Sequence, residues 1–478
     1  MTADRTSLSA GVLLLTLISS SSSCASSEAQ ERTRTSLRRE GKSFTQEPST
    51  DAPQDDLDDL LDQLGAEEES GFRILRGFIE AKARAYLNDR NQDRKDEELL
   101  LRAEIEVEAR FTDELSGYLR PRLLLDTFNT ELHRFEPLEG YLTYEEDSWD
   151  LRVGQFIENW GIVDTFNPID VLNRRDLGTD ILDPDRLGEL GARFRLLLPD
   201  GGALREPTIS LYAMPLFRPI KFPPDDGRWS FDQPGLLFDD DHGFEPSGLE
   251  SGFYALRFTG TMNTKPVNAD VQVIASAGPE RFPAIVPNPA FSRQVPVYYG
   301  VGTFGLGFRA VPNEAALGEQ LAKLTLKAEA IYKHPYTFAD SPIEAPDNYV
   351  AMVVGVDRTF SSAITDGDDL ILTVEFAREW GAGDPTSRLR PFRNDLIVRA
   401  LWNVNDFDRT SLEVRFLYDL DHGEAIGEII AERQLRFIDD NLKLGFQLQI
   451  FDPADRGESF LGAFPNNSSL AISLRWQF

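Results

Sequence analysis

Residues 469–478 read SLAISLRWQF and alternate between apolar and polar side chains. Successive side chains of a β-strand point to opposite faces, so a period of two predicts a strand with one apolar and one polar face. The apolar face consists of Leu470, Ile472, Leu474, Trp476 and Phe478.

The same period recurs along the chain. Between residues 101 and 111 every second side chain is charged, namely Arg102, Glu104, Glu106, Glu108 and Arg110. Eighteen such segments can be placed, although sixteen is also possible. They lie near residues 75–88, 100–112, 118–129, 137–146, 149–158, 188–198, 206–215, 252–262, 267–277, 296–310, 320–334, 347–360, 368–379, 394–404, 409–420, 424–437, 441–451 and 468–478.

The connections between these segments alternate between short and long. The long ones span residues 159–187, 216–251, 278–295, 335–346, 380–393 and 452–467. Short periplasmic turns, longer outer loops and an even strand number are typical of bacterial outer-membrane barrels. A soluble secreted sandwich shares the period of two but has no reason to keep this alternation.

These patterns predict an all-β fold, a transmembrane antiparallel up-and-down β-barrel of 18 strands with both termini in the periplasm. A bilayer interior offers no water to unpaired backbone groups, so the first strand must pair with the last. We therefore expect the strand at 78–86 to pair with residues 470–478. Trp476 and Phe478 form the predicted barrel-closing signal, to be recognised by the barrel-assembly machinery.

Composition limits the function classes. The chain has 478 residues and a mean hydropathy of −0.32, which is too polar for a bundle of membrane-spanning helices. Its net charge of −31 argues against nucleic acid, because phosphate contacts need clustered basic side chains.

The pattern of the N-terminal residues predicts an export signal. Residues 1–24 contain Arg5 and an apolar run at 10–18. Cys24 is the only cysteine, so an intramolecular disulfide is impossible; a lipoprotein signal is the alternative, although Ser21 is not the aliphatic residue expected there. Residues 25–72 predict a disordered acidic periplasmic segment with a short amphipathic helix near 55–64, and residues 73–478 predict the barrel.

Residues 149–177 read WDLRVGQFIENWGIVDTFNPIDVLNRRDL. The spacing of Gly-Gln, Trp-Gly, Asn-Pro and Asn-Arg-Arg-Asp resembles a segment of porin-like outer-membrane barrels of uncertain function, the domain of unknown function 1302 group. The resemblance covers about thirty residues. It implies an outer-membrane barrel and no particular substrate.

Residues 159–187 predict a loop that folds into the barrel. One interpretation is structural, a loop pinned against the inner wall by charge-assisted pairs between Arg174 or Arg175 and Asp170 or Asp176. The other is a pore constriction that sets selectivity. The constriction candidates are Trp160, Asp164, Asn167, Asp170, Arg174, Arg175 and Asp176; the lumen-facing candidates on the wall are Arg102, Glu104, Glu106, Arg120, Arg122, Glu432 and Arg436.

Catalytic and metal signals are weak. The four histidines, at positions 133, 242, 334 and 422, form no recognisable catalytic set with serine and aspartate. The acidic loop at 238–245 lacks the ligand spacing of a dedicated calcium loop, so a solvated loop is expected. The sequence predicts no cofactor and no metal.

The pattern as a whole predicts an outer-membrane, porin-like channel for passive or facilitated passage of small solutes. A plugged structural or adhesive barrel is the alternative, and a barrel-borne hydrolase is a further one. The expected partners are outer-membrane lipid, lipopolysaccharide and an unknown small solute, with the chain as a monomer or trimer.

Overall fold

The computed structural model describes residues 71–87, 95–178, 180–231, 237–288, 293–381, 393–453, 464 and 467–478. The predicted export signal, Cys24 and the helix near 55–64 lie outside the described residues. The described part of the chain is built on one 18-stranded sheet.

The strands follow one another along the chain with few interruptions by helix. In chain order they are β1 (Phe72–Tyr86), β2 (Glu97–Arg110), β3 (Leu115–Asp126), β4 (Arg134–Glu145), β5 (Trp149–Phe156), β6 (Arg174–Asp176), β7 (Asp185–Leu187), β8 (Glu189–Leu197), β9 (Leu204–Met214), β10 (Leu237–Phe238), β11 (Phe253–Asn263), β12 (Val267–Pro279), β13 (Ala284–Asn288), β14 (Arg293–Val297), β15 (Gly300–Pro312), β16 (Leu324–Tyr336), β17 (Tyr349–Ser361), β18 (Asp369–Trp380), β19 (Asn394–Asn403), β20 (Ser411–Asp419), β21 (Ala425–Gln434), β22 (Leu442–Asp452) and β23 (Ser469–Gln477).

The large sheet is a closed antiparallel barrel. Each of its strands pairs with its neighbours along the chain, and β1 pairs with β23 from Phe78 opposite Gln477 to Tyr86 opposite Ser469. At the seam Gly77 N–H donates to the Phe478 carbonyl at 2.7 Å, and Phe478 N–H donates back at 2.9 Å. The predicted fold, its 18 strands and its closing pair are confirmed.

The two faces of the wall differ in chemistry. The outer face exposes apolar side chains at alternate positions of each strand, such as Leu119, Leu123, Leu211, Phe304, Leu306, Phe308, Val374, Phe416, Phe446, Ile450, Ile472 and Leu474. The inner face carries buried charged groups such as Glu104, Arg122, Arg193, Lys327, Glu329, Glu375 and Glu413. An apolar outside and a polar inside suit a barrel surrounded by lipid.

The long connections contain structure that the periodicity did not predict. β6 and β7 form a hairpin within the predicted inward loop, and β10, β13 and β14 form a small separate sheet. The periplasmic turn after β15 contains two one-turn helices, α1 (Glu314–Leu317) and α2 (Glu319–Ala322). The side chain of Asn313 caps α1 by accepting a hydrogen bond from Ala315 N–H. Within the described ranges, no helix has the length and apolar character needed to cross a membrane.

Strand β21 ends three residues before its predicted end at residue 437. β21 ends at Gln434, because Leu435 N–H bonds the Leu442 carbonyl and Ile438 N–H bonds the Leu435 carbonyl, which closes the periplasmic turn. Arg436 therefore lies in this turn, exposed, with its Nε donating to Gln434 Oε1 at 3.3 Å. Its predicted position on the lumen wall is wrong.

Candidate functional site: the lumen and its inward loop

The inner surface of β2 and β3 is a network of ion pairs. Glu104, almost fully buried, accepts from Arg102 Nε at 2.7 Å and from Arg120 Nη2 at 2.7 Å. Glu106 lies one step further along the same face, 2.8 Å from Arg76. The alternation of charged residues in β2 and β3 thus places these side chains in the lumen, where each satisfies its neighbours.

Arg122 extends this network to the inward loop. Its fully buried guanidinium lies 2.7 Å from Asp176, 2.7 Å from Glu136 and 2.9 Å from Asp185. Asp176 and Asp185 belong to the β6–β7 hairpin, where they face each other in register. A buried ion pair of this kind holds its partners firmly, because separating them leaves an uncompensated charge.

The opposite end of the loop reaches β16 and β18. The carboxyl group of Glu329, fully buried on β16, accepts from the backbone N–H of Ile162 and from that of Val163 at 3.1 Å. Glu375 on β18 accepts from Asp164 N–H at 2.7 Å and from Thr165 N–H at 3.1 Å. Two wall carboxyl groups therefore take up the backbone donors of residues 162–165, which otherwise have no regular partner.

Lys327 completes this attachment. The ammonium group of this buried side chain forms an ion pair with Asp164 of the loop. It also lies 2.8 Å from the carboxyl group of Asp357 on β17. Because contacts to β16–β18 and to β3 lie on different sides of the 18-stranded ring, the loop crosses the lumen.

Within the loop, Asp170 organises the chain. It accepts from Arg175 Nη2 at 2.6 Å, from Arg186 Nε at 2.7 Å and from Asn173 Nδ2 at 3.1 Å. Burial alone would raise the pKa of Asp170, but Arg186 and Arg175 outweigh it and hold the pKa below its usual value. Of the ion pairs predicted from the sequence, the one between Arg175 and Asp170 is present. Arg174 instead forms its ion pair with Glu189, and Asp176 forms one with Arg122.

Trp160 and Asn167 serve the packing of the loop. Trp160 is fully buried in an apolar cluster, its ring 5.2 Å from that of Tyr212 on the wall. A side chain at Gly161 would meet Asn167 Oδ1 at 2.0 Å, so only glycine allows this close approach. Of the seven predicted constriction residues, Asp164, Asn167, Asp170 and Arg175 line the open lumen, whereas Trp160, Arg174 and Asp176 do not.

The open lumen is a cavity of about 2440 Å³. It is lined at one end by periplasmic turns, including Asp113, Ser148 and Asp200, and it extends to Glu280, Tyr299 and Lys333 near the outer ends of the strands. Acidic and basic side chains line it in nearly equal numbers, although the chain as a whole carries a charge of −31. Most of the excess negative charge therefore lies outside the lumen lining.

An apolar cluster forms a roof on the outer side. Loop residues Leu177, Ile181, Ile220, Trp229 and Phe464 are buried against wall residues Ile397, Leu417, Ile426 and Phe451. The Trp229 ring lies 5.4 Å from that of Phe451 and 5.6 Å from that of Phe464. Segments from three outer loops thus share one apolar core on β19–β22.

The remaining predicted residues are placed as follows. Glu432 faces inward on β21 and ion pairs with Lys443 on β22. In the acidic loop, Asp239 bonds His242 at 2.8 Å and pairs with Arg293. The other histidines contact Asp126 O, Asn348 and Asp419. Among the described residues, no three His, Cys, Asp or Glu side chains are close enough to hold a metal ion.

Sequence reasoning missed the wall residues that hold the loop. The period of two places Lys327 and Glu329 on the inner face of β16, but no local signal connects them with residues more than 160 positions earlier. A carboxyl group between Lys327 and Ile331 on the inner face of the strand is the only hint, and it identifies no partner.

A closed antiparallel sheet with an apolar outside, a charged inside and both termini at the short-turn end defines a β-barrel of the bacterial outer membrane. No family model matches the chain, and no curated protein matches it. The similarity of residues 149–177 to the domain of unknown function 1302 group therefore stays a prediction.

Solved structures of outer-membrane barrels match the chain at low identity. OccK11 (OpdR) of Pseudomonas aeruginosa is 10% identical, with 85% of this chain and 96% of that chain covered and a TM-score of 0.48. A BenF-like porin of Pseudomonas fluorescens Pf-5 is 10% identical over 85% of this chain and 98% of that chain, with a TM-score of 0.47. Wzi of Escherichia coli, a carbohydrate-binding β-barrel involved in group 1 capsule assembly, is 11% identical over 94% of this chain and 92% of that chain, with a TM-score of 0.47.

Proposed function

We propose that the protein is a porin-like channel for small polar solutes and that residues 159–187 form its constriction. The observation that carries this proposal is the attachment of one loop to two sides of the lumen, at Glu329 and Glu375 on one side and at Arg122 on the other. A loop held at both ends narrows the passage by a fixed amount, and the cavity of about 2440 Å³ remains beside it.

Within this proposal, selectivity depends on the loop residues that line the cavity. Asp164 and Arg175 expose part of their side chains to it, whereas the carboxyl groups of Asp170 and Asp176 are fully buried. Because acids and bases line the cavity in similar numbers, we expect weak discrimination between small cations and anions. Asp176 and Arg122 position the loop and do not meet the solute.

The roof at Trp229 and Phe464 supports a second candidate, a plugged structural or adhesive barrel. Its apolar contacts close part of the outer side of the lumen. Both candidates need the same wall and the same closing strand, which we propose as the segment recognised by the barrel-assembly machinery. Conductance separates them.

The test is single-channel recording in planar bilayers. The wild-type protein should conduct, and a variant lacking residues 162–182 should conduct more because the crossing segment is gone. Barrel folding of each variant is checked by its heat-modifiable mobility on gels. A folded, inserted deletion variant with unchanged conductance would contradict the constriction. A silent wild-type barrel and a conducting deletion variant would instead identify a plug.

A further inference from the structure

Three arginines from three inward-folded segments converge on one carboxylate near the outer end of the lumen. Glu189, fully buried at the start of β8, lies 3.4 Å from Arg174 Nε, 3.8 Å from Arg218 Nη2 and 3.9 Å from Arg281 Nη1. Arg174 belongs to β6, Arg218 follows β9, and Arg281 follows β12. Three guanidinium groups thus lie no more than 3.9 Å from one carboxylate, while Glu136, a further electrostatic neighbour of Arg174, ion pairs with Arg122 and Lys221.

Glu189 does not satisfy this cluster. Its distances to the guanidinium groups exceed those of charge-assisted hydrogen bonds, and neither of its oxygens has a hydrogen-bond partner among the described residues. Buried Nε and Nη2 of Arg281 and Nε of Arg174 also lack an acceptor within the described part of the chain. Burial, together with nearby Arg218, lowers the pKa of Arg174.

Arg281 is the least satisfied of the three. Its side chain is only 4% exposed and lies over the Phe253 ring, 5.0 Å from its centroid. Arg218, by contrast, donates through Nη1 to Gln155 at 2.9 Å and through Nη2 to the Gly188 carbonyl. Buried guanidinium donors without an acceptor are costly, and an added anion would remove that cost.

We propose that Arg174, Arg218 and Arg281 form a binding site for a small oxyanion, a carboxylate or phosphate group. The planar guanidinium presents paired donors that match such groups. The three arginines carry more positive charge than Glu189 neutralises, so a second negative group beside Glu189 is electrostatically favourable.

Arg281 lines the cavity together with Phe282, Tyr299 and Lys333, whereas Arg174, Arg218 and Glu189 do not line it. On this proposal the anion enters from the lumen at Arg281. Lipid headgroups lie on the other side of the barrel wall, so the ligand is a free solute. A bound anion would join β6 to the segments after β9 and β12, whether or not the barrel conducts.

The experiment is calorimetric titration of inorganic phosphate into the folded full-length barrel in detergent at low ionic strength. Arg281→Gln should raise the Kd at least about tenfold, or about 1.4 kcal/mol. Arg309→Gln is the matched control. Arg309 lines the same cavity but lies near the C-terminal end of β15, whereas the arginine cluster is near the outer end of the lumen. Its Kd should be that of the wild type.

A second variant protects the test against loss of folding. Glu189→Gln removes the competing carboxylate, so it should bind phosphate more tightly than the wild type. Three results would overturn the proposal: no phosphate binding by the folded wild type, equal loss in the Arg281 and Arg309 variants, or weaker binding by folded Glu189→Gln.

Discussion

Removing the carboxyl groups of Glu329 and Glu375 should release the tip of the inward loop. Glu329 accepts from Ile162 and Val163 and, at 3.4 Å, from Ile169. In Glu329→Ala these buried donors lose their acceptor, at about 1–3 kcal/mol each if the loop stays in place. Moving into the water-filled lumen lets the donors bond to water instead.

The size of the effect follows from the free-energy difference between the attached and the released loop. If two donors are left unpaired, the attached position loses about 3 kcal/mol, which changes the ratio of attached to released loop by about a hundredfold. Glu375 still holds residues 164 and 165 in the single variant. We therefore expect longer high-conductance intervals in Glu329→Ala and a stable high level in the Glu329→Ala/Glu375→Ala double variant.

The assay is single-channel recording, with Glu432→Ala as the matched control. Glu432 also faces the lumen, but its ion pair with Lys443 stays within the wall. The control should keep wild-type conductance. If a folded double variant also keeps it while deletion of residues 162–182 raises conductance, these two carboxyl groups do not hold the loop.

Three further outcomes are expected. Arg122→Met should lower the free energy of unfolding in detergent by about 3–5 kcal/mol, measured by urea titration, because its buried carboxylate partners lose their counter-charge. Gly77→Val should weaken barrel closure and lower the melting temperature, since a Cβ there would meet the Phe478 ring at 2.6 Å; unchanged melting would contradict the close approach. The hydrogen bond to Asp419 raises the pKa of His422, so its stabilising effect should be present below its unfolded pKa and be lost as pH rises through the folded value. NMR titration should show this raised pKa, and His422→Gln should remove that pH dependence.

The wall was predictable because its pattern is local. In β2 and in β23 the period of two alone assigns each side chain to lipid or lumen, and each predicted strand near residues 75–478 has its counterpart in the barrel. The alternation of short turns and long loops then gives the orientation. The ends of strands were harder to predict, as Arg436 shows. A turn begins where a few backbone hydrogen bonds form, and the alternation of apolar and polar residues does not indicate where that happens.

The loop was predictable in location but not in its contacts. Asn-Pro at 167–168 and the charged residues after it mark an irregular segment, yet nothing in that segment indicates that Asp176 binds Arg122 or that Glu329 accepts from residue 163. These pairs are distant in sequence. Arg174 shows the same limit, since the sequence suggests its neighbour Asp176 as the partner, whereas the structure pairs it with Glu189, 15 positions later.

The roof on β19–β22 has a consequence for how this protein can vary. Outer loops of a barrel usually change in sequence with little effect on one another, because each is surrounded by solvent. Here Trp229, Ile181 and Phe464, from three separate loops, fill one apolar space. A larger side chain at one of these positions would need a smaller one at another. We therefore expect sequences of this barrel to show correlated volume changes among these loops, a constraint normally found only in the interiors of soluble domains.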